Sequence, residues 1–155
     1  MHFGLNFMHA LGGNYWGKDW ESGGDIASLS TFQKILPNWT DINLRKVDYY
    51  GWLRFLDVIL RGLVVQAALR VCNIATLKDF NGESLNIHDY SQFSNLTTLI
   101  VDLYLLPSTS RLEMLEKKTL KDSSQSGHAV LLVHDLMTLR EMQHAIKHGH
   151  PQHIL

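Results

Sequence analysis

Apolar positions recur at helical spacing in three stretches of the chain. After Asp25, a residue suited to capping a helix, Ile26, Leu29, Phe32, Ile35 and Leu36 form a stripe that Pro37 ends. In YYGWLRFLDVILRG the apolar residues fall at 52, 53, 56, 59, 60 and 63, with Arg54, Asp57 and Arg61 on the opposite face. Asp57 and Arg61 stand one turn apart, the spacing at which they pair. In MTLREMQHAIKH, Leu139, Met142 and Ile146 share one stripe before a stop at Gly149. Residues 1–24 (LGGNYWGKDWESGG among them) show neither helical nor strand period, and predict a loosely structured extension.

Other stretches are apolar without that period. Residues 42–48 (INLRKVD) alternate roughly, which predicts a short strand, and LVVQAALRVCNIATL contains a β-branched run whose helix or strand character stays open. LTTLIVDLYLL, which ends at Pro107, and HAVLLVHDL both have the composition of fully buried strands in a parallel sheet. Between them Ser110 and Glu113 form a capping box for the helix RLEMLEKKTLK, and PQHIL at the end predicts a further strand. Strand, helix, strand, helix, strand over residues 96–155 implies right-handed crossovers. The predicted fold is α/β: a doubly wound, parallel five-stranded sheet with flanking helices over residues 42–155, and a partly helical extension over 1–41.

Composition narrows the class of partner. With 155 residues and 45% hydrophobic content the expectation is one domain, and 14 basic against 15 acidic residues leave a net charge of −1. No global field therefore calls for nucleic acid or an anionic membrane. Cys72 is the single cysteine, which excludes an internal disulfide and points to a reducing, cytoplasmic setting. The most apolar stretch, residues 52–72, carries Arg54, Asp57, Arg61 and Arg70, whose insertion would cost on the order of 10 kcal/mol at bilayer depth. No membrane span is expected, and the N-terminus lacks the basic start of a secretory signal.

In a sheet of this kind ligands gather beyond the carboxyl ends of the strands. Asp48, Asp102 and His134 with Asp135 would stand at three such ends. Two carboxylates there make a hard oxygen site for Mg²⁺, and one of them can attack a phosphoryl donor. A buried carboxylate that is merely hydrogen-bonded explains Asp102 equally well. His144 and His148, at i and i+4, have the spacing of a zinc-binding pair, with His150 or His153 as a third ligand, or they belong to a solvated helix face.

TTLIVDLYLLPSTSRLEMLEKK and HAVLLVHDLMTLREMQHAIKHGHPQHIL together resemble the second half of a response-regulator receiver domain, of the type found in helix-turn-helix transcription regulators. The similarity rests on Asp102 followed by Pro107, Leu112 and Leu115, the aliphatic run 129–133, and Ala145 with Gly149. VDYYGWLRFLDVILRG is similar to the first strand and helix of that family. The resemblance implies Asp102 as phosphoacceptor, Asp48 and Asp102 as Mg²⁺ ligands, and His134 at the switch position where the family has Ser or Thr. Tyr49 replaces a second acidic residue, and the chain ends at Leu155 before the family's lysine and last helix.

These departures imply an atypical, phosphorylation-independent receiver. It would be a dimerisation or protein-interaction module rather than an enzyme, paired with itself or a related regulator, and meeting DNA only through a domain beyond this chain. Two alternatives stand beside it. One is a phosphorylatable receiver using Asp102 with Mg²⁺; the other is a small metal-dependent hydrolase built on His88–Asp89 and His134–Asp135.

Overall fold

The structure, a computed structural model, describes residues 2–17, 21, 27–36, 38–39, 48–79, 89–102 and 127–148. Among the described residues there are five helices and no strand: α1 (His2–Tyr15), α2 (Leu29–Ile35), α3 (Tyr49–Val71), α4 (Tyr90–Ile100) and α5 (Gly127–His148). This overturns the predicted α/β sheet, and with it the receiver architecture that needed one. The expected strand at 128–136 and the expected helix at 137–148 are a single helix, α5. Neither Gly nor Pro interrupts residues 128–148, so nothing in the chain ends the helix between them. Its run Val130, Leu131, Leu132, Val133 is buried at every position because α1 and α3 both pack against this helix. A helix enclosed on several sides is apolar all round, and a short stretch of it is indistinguishable by period from a buried strand.

The same correction holds elsewhere. Residues 96–100, expected in the central strand, close α4, and a wider π turn follows at 101–102. Thr97 and Thr98 donate their hydroxyls to the carbonyls of Phe93 and Ser94 at 2.9 and 3.0 Å, so these β-branched residues sit in a helix with their polar groups satisfied. The β-branched run after residue 63 continues α3 to Val71. There Asn73, at φ 55°, ends the helix: its N–H donates to Arg70 O at 3.1 Å and that of Ile74 to Leu69 O at 2.8 Å, a Schellman stop. The strand expected at 42–47, the helix at 111–121 and the strand at 151–155 lie outside the described residues.

Residues 2–15, expected to be loose, are helical and bury Met8, Leu11 and Tyr15. Gly17, at φ +56°, takes the left-handed conformation that ends α1 and turns the chain toward α2, and its carbonyl accepts from Ser30 Oγ at 3.0 Å. Of the predicted stripe, Leu29 is buried and Phe32 and Leu36 half-buried, whereas Ile35 is 58% exposed and Ile26 lies outside the described residues; the cap is Ser28, whose Oγ accepts from Thr31 N.

The core joins Met8, Leu11 and Tyr15 of α1 and Leu29 of α2 to Trp52, Phe55, Leu56, Ile59 and Leu60 of α3 and to Leu131, Leu132, Leu136, Leu139 and Met142 of α5. Trp52 is 1% exposed and its ring lies 5.9 Å from that of Trp16. Its indole N–H finds no acceptor among the described residues. Burying each such aromatic or aliphatic side chain stabilises the fold by roughly 1.5–3 kcal/mol before entropy is counted. No helix of the described residues is long and apolar enough to cross a membrane.

Candidate functional site

The residues that a sheet would have gathered stand instead at helix ends and on a helix face. Asp48 is the N-cap of α3, where its Oδ1 accepts from the Tyr50 N–H at 3.2 Å. A Cβ at Gly51 would come within 2.6 Å of Asp48 Oδ2, so the glycine makes room for the capping carboxylate. Asp102 is exposed on the last turn after α4. His134 sits mid-helix on α5, its backbone carbonyl accepting from Thr138 Oγ1 at 3.0 Å. Among the described residues no hydrogen bond or ion pair joins any two of these three. Nor do any three His, Cys, Asp or Glu residues among them gather to hold a metal ion. Without a sheet, the strand ends that would have brought Asp48, Asp102 and His134 together as a Mg²⁺ pocket are gone. Asp89, paired with His88 in the hydrolase reading, is the N-cap of α4, and His88 lies outside the described residues.

The spacing of the sequence did not flag Asp135 as a pairing group, yet it is the one buried carboxylate among the described residues. Tyr15 donates its hydroxyl to Asp135 Oδ2 at 2.6 Å across 120 residues of chain, clasping the end of α1 to α5. His134 Nδ1 lies 3.5 Å from Asp135 Oδ1. A charge-assisted hydrogen bond this short offsets much of the desolvation of the carboxylate. With its partner at hydrogen-bond distance and little solvent access, the pair fastens α1 to α5.

A larger feature lies on the other flank of α5. Between α3 and α5 runs a groove of about 590 Å³, lined by Leu60, Val64, Val65 and Met137, with Arg61, Arg140, Glu141 and His144 at its edges. Its position follows from two helical stripes. On α3 the residues at 60, 61, 64 and 65 fall on adjoining faces, and on α5 those at 137, 140, 141 and 144 do the same. Val65 and Met137 are each more than a third exposed within it. The predicted pair is present, Arg61 Nε lying 2.7 Å from Asp57 Oδ2, and Arg140 Nη1 approaches the other oxygen of Asp57 at 3.8 Å. Asp57 thereby ties α3 to α5 beside the groove, an exposed contact worth under about 1 kcal/mol.

His144 and His148 lie together on the exposed face of α5, ring centroids 4.3 Å apart and planes tilted by 38°. His150 and His153 lie outside the described residues. The groove needs two helices seen together, so the visible sign in sequence was only the stripe of each.

A model of a protein family described as a family of unknown function, DUF6589, matches residues 1–155. No curated protein and no solved structure gives a match.

Proposed function

The chain belongs to DUF6589, a family of unknown function, and we propose from its own geometry that it is a helical interaction module that pairs with a second copy of itself through the groove between α3 and α5. The observation that carries this is the groove: an apolar floor of Leu60, Val64, Val65 and Met137, of which Val65 and Met137 are open to solvent, rimmed by both charge signs. A floor of this kind suits the apolar face of a helix. The rim suits the helix pair of a second copy, because a patch holding Arg61 and Arg140 next to Glu141 and Asp57 is complementary to itself when turned about a two-fold axis.

Gly62 supports the same partner. It lies within α3, one turn from Val58 and beside the groove residues, and a Cβ on it would meet nothing within 4 Å. Glycine inside a helix costs about 1 kcal/mol relative to alanine, and nothing among the described residues requires it here. Close approach of a second helix backbone accounts for it.

Light scattering across a concentration series tests the proposal. The expected species is a dimer that becomes a monomer when Val65 and Met137 are both replaced by Lys, with the helical circular dichroism unchanged. A strict monomer at high concentration overturns self-pairing, and a dimer indifferent to both substitutions removes it from the groove.

A further inference from the structure

We infer that His144 and His148 form half of a zinc site that a second copy completes. This rests on the self-pairing proposed above, since the ligands come from two chains. The two imidazoles stand one helical turn apart on the exposed side of α5, with ring centroids 4.3 Å apart. Both are free to turn about their side-chain bonds, and histidines at i and i+4 on one face can direct a nitrogen each to one ion. Zinc takes four ligands in a tetrahedron, with Zn–N distances of about 2.0–2.1 Å. One copy offers two, and among its described residues no group of three or more candidate ligands forms.

What makes the other half available is position. His144 also lines the α3/α5 groove, so a two-fold pairing through the groove brings the partner's α5 edge toward this one. Two pairs then supply four neutral imidazoles, a donor set that suits a borderline-soft ion such as Zn²⁺ and not Mg²⁺. Glu141 lies one turn before His144 on the same face and lines the same groove. No bond is made or broken: binding replaces the waters of the ion by ring nitrogens.

The experiment uses the full chain, purified without a histidine tag and stripped with a chelator, and follows its association by sedimentation with ZnCl₂ or MgCl₂ added. The expected result is one zinc per two chains and a dimer at least tenfold tighter with zinc, with magnesium inert. His148→Ala, outside the groove lining, should abolish the zinc effect while leaving the metal-free association and the helical signal unchanged, and His144→Ala should abolish the zinc effect as well. A metal-free dimer that zinc does not tighten overturns the bridge and leaves self-pairing intact. One zinc per single chain without tighter association also overturns it. A chain that stays monomeric with and without zinc overturns the bridge and self-pairing together.

Discussion

The first half of α5 is enclosed and its second half is open. Over residues 130–136 the helix buries Val130, Leu131, Leu132, Val133, Asp135 and Leu136, whereas over 137–148 only Leu139, Met142 and Ala145 are buried. Helix α3 divides similarly: Trp52, Phe55, Leu56, Ile59 and Leu60 are buried, and beyond them only Ala67. The groove lies where burial falls off on both helices. The difference teaches that one pair of helices serves as core at one end and as surface at the other. In the enclosed half, the identity of nearly every side chain should matter to stability. In the open half, substitutions should act on association and leave the fold almost untouched.

The largest effect should come from Leu132→Ala. Leu132 is fully buried, and its truncation is expected to destabilise the chain by about 2–5 kcal/mol in urea unfolding. Met137→Ala, on the groove, should stay within about 0.5 kcal/mol. Equal costs at the two positions would erase the contrast.

Tyr15→Phe comes next. It keeps the ring and removes the hydroxyl that donates to Asp135, so the buried carboxylate loses a charge-assisted hydrogen bond worth about 1–3 kcal/mol. A neutral result in thermal unfolding would show that solvent reaches Asp135 and that the clasp between α1 and α5 is weak.

A smaller change of opposite sign is expected at Gly62. With open space around its missing Cβ, Gly62→Ala should stabilise the isolated fold by about 0.5–1 kcal/mol through helix propensity. Under the self-pairing reading it should at the same time weaken the dimer, and a gain in both would detach Gly62 from the interface.

The smallest effect concerns Asp89, on the exposed helix α4, none of whose residues is buried. Its carboxylate accepts from the Gln92 N–H at 2.8 Å and from the Ser91 hydroxyl at 2.7 Å, and these hydrogen bonds, the backbone one foremost, hold its pKa below the ordinary 3.8. Because the folded value is depressed, the cap's contribution is complete above 3.8 and is lost as the pH falls through the lower folded value. Amide exchange in the first turn of α4 should therefore quicken only in acid below that point. In Asp89→Asn, which keeps the cap geometry without a titrating group, that acid step should vanish.

Some of this was legible in the order of residues. The helix of Leu29 and Phe32, the helix from residue 52, the helical character of 137–148 and the pairing of Asp57 with Arg61 follow from 3.6-residue spacing, which depends on local geometry alone. Helix α1 carries the same kind of stripe in Leu5, Met8, Leu11 and Tyr15, but Gly4, Gly12 and Gly13 among them make the stretch look like loop. Asp48 and Asp89 drew attention as candidate chemistry and are helix caps instead, because a carboxylate just before a helix is held by backbone N–H groups whether or not a ligand exists.

The chain by itself determined where helical stripes run, where Pro37 stops one of them, and that no strong net charge selects a partner. Only the tertiary structure decided that Val130, Leu131, Leu132 and Val133 belong to a helix, since a run of apolar residues satisfies an enclosed helix and a buried strand alike and its neighbours make the choice. It also decided which polar groups meet. Tyr15 and Asp135 are 120 residues apart in sequence, and the groove exists only between two helices, so neither could be read from spacing along one.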